Sequence, residues 1–217
     1  IISIKMCHRF VTILFSFVGT ILAGAAAFGC SFLAGDVPGR SMTFGIGFLG
    51  VSRWGSKLLK DYYCRPFFLH HFVDIIDDVP GFQKYDFDSY WYAAYAFAVI
   101  SFVLGFFAFV FSVCSIFKYG SSNGDSCLGG FLLFITLCQG LSLLVFSSNV
   151  IDLYSVAVSE NHAGFKLGVG PGAGMAIAAI IFWFFAAISA CTTGRKGDDR
   201  DASREIDAEE PLLANDE

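Results

Sequence analysis

Charge is scarce in this sequence, and the scarcity is concentrated in blocks. Only 15% of the 217 residues are Asp, Glu, Lys or Arg, against about 25% in an ordinary soluble domain. The stretches 10–34, 91–117, 128–151 and 172–192 contain none of the four. They also lack His, so they hold neither the Asp pair nor the Ser/His pair that intramembrane proteolysis uses. Ionisable groups inside spans mark proton and ion routes, and a pump or ion-coupled carrier finds no support here. The seven Cys form no CxxC pair, which leaves a zinc or thioredoxin-type centre without its usual framework. GxSxG, HExxH, P-loop and dinucleotide fingerprints are all missing. The chain therefore reads as a non-enzyme for which no cofactor is expected. No basic patch interleaves with aromatics, so a nucleic-acid partner is not expected either. Asn-x-Ser/Thr does not occur, and glycosylation gives no orientation.

What is present is apolar mass: 55% hydrophobic residues, 26 of the 217 being Phe. A helix rises about 1.5 Å per residue, so roughly 20 residues cross the hydrocarbon core. Each of the four uncharged stretches is long enough. The first could pass for a signal peptide, with Ala25-Ala26-Ala27 as a cleavage site, but its apolar run exceeds the h-region length of about 7–15 residues. It reads as a retained span. The expectation is an all-α membrane protein, a four-helix transmembrane bundle whose principal partner is the lipid bilayer. Residues 1–9 form a stub, 35–90 a long loop, 118–127 a short one, 152–171 a second outer loop and 193–217 a hydrophilic, flexible tail. An even span count puts both ends on one side. Lys5, Arg9, Lys118, Arg195, Lys196 and Arg200 flank the spans on that side, and flanking basic residues favour the cytosol.

Small residues recur along the spans at helical spacing. Span 2 carries Ala94, Ala98, Ser101, Gly105, Ala108 and Ser112, span 1 Gly19, Ala23 and Ala27, and the start of span 4 Gly170, Gly174 and Ala178. Such stripes let helix backbones approach closely, which predicts a tight bundle. A loop as long as 35–90 is expected to fold on its own account. Phe44, Ile46 and Phe48 alternate with Thr43, Gly45 and Gly47, the period of a half-buried strand. Between Pro66 and Pro80-Gly81, an amphipathic helix is expected. Phe68, Leu69, Phe72, Val73, Ile75, Ile76 and Val79 share one side, and His70, His71, Asp74, Asp77 and Asp78 the other. Strand and helix together would make an extracytoplasmic cap from the first loop.

Four spans, a large structured first loop, a smaller second loop and a polar tail resemble the claudin superfamily. That group includes peripheral-myelin-type proteins, calcium-channel gamma subunits and fungal eisosome tetraspans. Phe44-Gly45-Ile46-Gly47-Phe48, with Trp54 and Cys64 downstream, resembles the family's Gly-Leu-Trp…Cys stretch. The small-residue run from Gly170 to Ala179 resembles the opening of its fourth span. The family's first loop holds two Cys in a disulfide, whereas this loop has Cys64 alone, leaving Cys30 as the substitute partner. The resemblance implies a structural or adhesion scaffold, or an auxiliary subunit, docking another integral membrane protein or copies of itself in the plasma membrane or an endomembrane. Surface aromatics of the cap (Phe67, Phe82, Tyr85, Phe87) would be its anchors. Two other readings are a pore-forming subunit lined by Ser and Thr and an accessory subunit of an organellar energy-converting complex.

Individual sites are few. His71, Asp74 and Asp78 sit at helical spacing and form the one candidate metal cluster, but no known loop motif supports it, and a solvated helix face is the preferred reading. Gln139, beside Cys138 in span 3, is read as interhelical glue. Glu209-Glu210-Pro211-Leu212-Leu213 resembles an acidic dileucine sorting signal, with Ala208 where that signal usually has an acid.

Overall fold

Without charge to hydrate, each apolar stretch satisfies its backbone internally, and in lipid that leaves the helix as the available form. The computed structural model describes the backbone of residues 2–36, 42–55, 63–66, 88–117, 122–149 and 166–213. Side chains are described for 8–35, 45–50, 88–115, 126–149 and 168–192. Helix α1 runs Ile2–Phe28, α2 Ser89–Phe117, α3 Ser122–Leu141 and α4 Pro171–Leu213. A 3-10 segment, Ser142–Ser147, continues α3. The parts long and apolar enough to cross a membrane are His8–Phe28, Ser89–Ser115, Ser126–Ser147 and Pro171–Thr192.

The helices form a ring in which α1 and α3 each pack on both α2 and α4. The buried residues advance by alternating steps of three and four. On α2 they are Trp91, Ala94, Ala98, Ser101, Gly105, Ala108 and Ser112. On α4, Ala176, Ala179, Trp183, Ala186 and Ala190 repeat the pattern. A period of 3.5 is the seam of a left-handed bundle, and the small side chains bring the backbones together. The bulky ones face outward: Phe106, Phe107 and Phe111 on α2, Phe134 on α3, Phe184 and Phe185 on α4. Lipid suits that surface, and a soluble monomer rarely exposes apolar patches so large.

Five antiparallel strands cap one end: β1 Leu33–Asp36, β2 Met42–Ile46, β3 Gly50–Gly55, β4 Tyr63–Pro66 and β5 Lys166–Val169, in the order β4-β3-β2-β1-β5. The first loop supplies a four-strand meander. The second loop adds β5 beside β1, with Ala34 opposite Gly45 on one side and Gly168 on the other. The cap, expected from the first loop alone, therefore also takes a strand from the second loop.

Three other boundaries also differ. Span 1 ends at Phe28, not residue 34, because Gly29 closes the helix onto the Ala25 carbonyl (2.9 Å) and residues 33–36 join the sheet. The third span is not one α-helix to 151. After Leu141 it tightens into the 3-10 turn, where the Ser142 hydroxyl donates to the Gln139 carbonyl (2.7 Å). Beyond Thr192 the chain continues as helix to Leu213, so 193–213 is an extension of α4 where a flexible tail was expected. The amphipathic helix expected between Pro66 and Pro80 lies outside the described residues from 67 onward.

Candidate functional site

The junction between sheet and bundle is the most elaborated part of the molecule. Phe32, just before β1, and Phe48, just after β2, are nearly fully buried with ring centroids 4.7 Å apart. Phe48 also meets Trp91 (5.7 Å) and Tyr95 (5.8 Å) of α2, and Phe32 meets Phe146 of the 3-10 segment (6.2 Å). Aromatic rings in these tilted and edge-on arrangements add stabilisation beyond the area they bury. With Leu33, Ile46, Val145, Ala173 and Ala176, they form one apolar cluster spanning sheet and all four spans. Backbone bonds close the seam: Gly170 N–H donates to the Phe32 carbonyl (3.0 Å) and Gly172 N–H to that of Ser31 (2.8 Å). Gly47, between β2 and β3, lies so close to Gly29 and Cys30 that a Cβ there would collide with their backbone. Cys30 itself is disulfide-bonded.

Asp88 pins the same junction from the side. It is the N-cap of α2, with Oδ1 accepting from the Trp91 N–H (2.9 Å). Across the bundle, Oδ1 also accepts from the Ser148 hydroxyl (2.7 Å), and Oδ2 from the Asn149 N–H (2.7 Å), just after the 3-10 segment. Burial pushes this carboxyl up, and the hydrogen bonds from Ser148, Asn149 and Trp91 outweigh it, leaving its pKa below the ordinary 3.8. One side chain thus joins the start of span 2 to the end of span 3.

Deeper in the bundle, Trp183 of α4 is fully buried. Its indole fills a slot between two glycines. A Cβ on Gly19 would stand 2.8 Å from Trp183 Cδ1 and Nε1, and one on Gly105 would overlap Cζ2. These glycines therefore admit a ring between α1 and α2 in addition to easing helix approach. The indole Nε1 and the Ser16 hydroxyl have no hydrogen-bond partner among the described residues. Nearby polarity is otherwise satisfied: Ser101 Oγ donates to Gln139 Oε1 (2.5 Å), and Gln139 Nε2 donates to Ser142 Oγ (3.2 Å), all three residues fully buried.

The residues singled out from sequence fall as follows. Gly19, Ala23, Ala27, Ala94, Ala98, Ser101, Gly105 and Ala108 all lie in the interior. Gly170 is buried against the segment before β1. Gly174 is exposed with open space beside it and Ala178 is half-buried, so the expected Gly170, Gly174 and Ala178 stripe is not the contact face of span 4. Trp183 sets that face instead, in step with Ala176 and Ala179. The side chains of Cys64 and of Glu209, Glu210, Leu212 and Leu213 lie outside those described, as do His71, Asp74, Asp78, Phe67, Phe82, Tyr85 and Phe87 entirely. Among the described residues, no three His, Cys, Asp or Glu come together in a metal-binding group.

Asp88, Trp183 and β5 were not singled out from sequence. An Asp one residue before an apolar run is an N-cap signal, and a lone Trp in a Phe-rich span was a second clue. β5 gave none, since four residues pair only through contacts remote in sequence.

The fold is that of a four-span membrane bundle with a sheet seated on one end. Compared with protein-family models and with curated proteins, the chain matches none.

Proposed function

We propose that this protein is a claudin-like tetraspan scaffold, non-enzymatic, that holds a rigid extracytoplasmic sheet for docking another integral membrane protein or a neighbouring copy. The observation that supports this reading is the way the sheet is fastened. The Phe32–Phe48–Trp91 cluster and the backbone bonds from Gly170 and Gly172 to the Phe32 and Ser31 carbonyls hold the sheet on the bundle. A cap held in that manner presents a fixed surface, and fixed surfaces bind with less ordering entropy. The bundle axis is filled by Trp183, Leu132, Ile135 and Gln139, which argues against a pore through a single chain.

The disulfide also supports an orientation. Disulfides persist in oxidising compartments, so the cap faces the lumen or exterior and both ends face the cytosol, in agreement with the flanking basic residues. Cys64 is our assignment for the partner of Cys30. Cys114, Cys127, Cys138 and Cys191 are free, and Cys7 lies near the far end of α1, roughly 32 Å of helix from Phe28, just before Cys30. The membranes that fit are the plasma membrane or an endomembrane. Crosslinking of the native membrane followed by mass spectrometry tests the scaffold: the expected products join the cap to a second membrane protein or a second copy. Recovery of the chain only as an uncrosslinked monomer overturns the proposal.

A further inference from the structure

The cysteines sort by place. Cys30 is buried under the sheet and disulfide-bonded, and Cys138 is a free thiol buried in the middle of span 3. Cys114, Cys127 and Cys191 differ from both, being free and exposed. Each stands at the end of its span away from the cap. Cys114 is four residues before Lys118, Cys127 two after Asp125 and Cys191 four before Arg195, the first charges beyond their spans. At about 1.5 Å per helical residue, these separations are roughly 3–6 Å, which sets the thiols at the boundary between hydrocarbon and headgroups. Cys191 Sγ rests against Gly129, so the end of α4 and the start of α3 are level.

The side chains also point the same way, toward lipid. On α2, Phe107, Phe111 and Cys114 follow at steps of four and three, and all are exposed. On α4, Phe184, Ile188 and Cys191 repeat those steps, again all exposed. On α3, Cys127, Gly130 and Phe134 share the outer face. Each thiol therefore completes a lipid-facing row. A free Cys placed for packing behaves as a small apolar residue and is usually buried, as Cys138 is. Packing does not account for three that face lipid at one depth, one on each of three spans.

We infer that Cys114, Cys127 and Cys191 are sites of reversible S-acylation by long fatty chains. This goes beyond the scaffold role and rests on the orientation proposed with it, since the reducing cytosol keeps thiols free and supplies acyl-coenzyme A. The cysteine sulfur attacks the thioester carbonyl of the acyl-coenzyme A, the bond to the coenzyme's sulfur breaks, and the cysteine's proton leaves with the coenzyme thiol. One thioester replaces another, and nothing is oxidised. Each attached chain starts at the headgroup boundary and enters the adjacent leaflet along its own row of exposed apolar residues. Hydrolysis of the thioester returns the thiol.

The test uses the full chain expressed in cells and carrying C7S, because Cys7 lies between Lys5 and Arg9 beside the first span and would confuse the count. Free thiols are blocked with N-ethylmaleimide, thioesters are cleaved with neutral hydroxylamine, and the thiols so released take a polyethylene-glycol maleimide that retards the band. The C7S chain should carry up to three hydroxylamine-dependent tags. C114S, C127S and C191S should each lose one, the triple variant all three, and C138S none. Absence of any such tag, or retention of the tags in the triple variant, overturns the inference and leaves the orientation and the scaffold reading standing. In sealed vesicles of known orientation, the released thiols should react with an impermeant maleimide from the cytosolic side alone. Reaction from the cap side overturns the orientation, and the inference with it.

Discussion

Replacing Gly105 by Ala should destabilise the bundle, and the effect should depend on Trp183. The new Cβ would overlap Trp183 Cζ2, and the ring's opposite edge runs along Gly19, where an added Cβ would stand 2.8 Å from Cδ1 and Nε1, so the slot is close on both sides. Added volume in a packed core typically costs about 1–3 kcal/mol. The expected loss for G105A falls there, since hydrophobic transfer is nearly silent between lipid-immersed states and only packing remains. W183F alone removes the benzo edge that meets Gly105 and should also destabilise, through lost dispersion contacts. In the double variant the methyl occupies space the ring has vacated, so the combined loss should fall short of the sum by about 0.5–2 kcal/mol. Equilibrium unfolding in mixed micelles, followed by helical ellipticity, measures all three. Additive losses, or a G105A chain as stable as the parent, would refute the placement of Trp183 between α1 and α2.

Three further outcomes follow from the junction and the core. The Asp88 carboxyl has a folded pKa below its ordinary 3.8, so its contribution is present above that value and is lost as pH falls through the lower folded one. Thermal unfolding midpoints should accordingly drop more steeply below about pH 4 in the parent than in D88N, and D88A should cost about 1 kcal/mol at neutral pH through the lost cap; identical acid profiles for parent and D88N would contradict this. Q139L removes the acceptor of Ser101 and the donor to Ser142, and micelle unfolding should register a loss of about 1 kcal/mol. In C30S, one new thiol should react with an impermeant maleimide added from the cap side. Labelling of Cys64 in the parent would instead show that it is not the partner of Cys30.

Much of the helical architecture is legible in the residues. The four spans declare themselves because an uncharged stretch of that length has one stable home, and the seam of α2 is readable from Ala94 to Ser112 because its small residues keep the 3.5 period. Span 4 misleads for a physical reason. Glycine spacing draws attention to Gly170 and Gly174, yet the phase of that helix is set by one large ring, Trp183, and by the alanines in step with it. The sheet is half legible. Phe44, Ile46 and Phe48 alternate as a strand does, and β2 covers Met42–Ile46, with Phe48 turning under the sheet to pack on Trp91. The partnership of β1 with β5 is a contact between residues more than a hundred apart, which local pattern does not encode. The end of span 1 is hard to read because residues 29–34 are as apolar as a span, whereas the pairing of residues 33–36 in the sheet and the close approach of Gly47 and Gly170 are contacts remote in sequence. The polar stretch beyond Thr192 reads by composition as a loose tail, but its Ala, Glu and Arg content also favours helix, and α4 simply propagates through it.

Everything functional depends on the cap and the two chain ends lying on opposite faces of the membrane. Single cysteines introduced at Asn161 in the second loop and Ser203 on the α4 extension, in a background without other reactive thiols, test this directly in sealed vesicles of known orientation. An impermeant thiol reagent outside should modify one of the two positions and reach the other only after the vesicles are opened. Modification of both from the same side would contradict the four-span bundle and, with it, the scaffold built upon it.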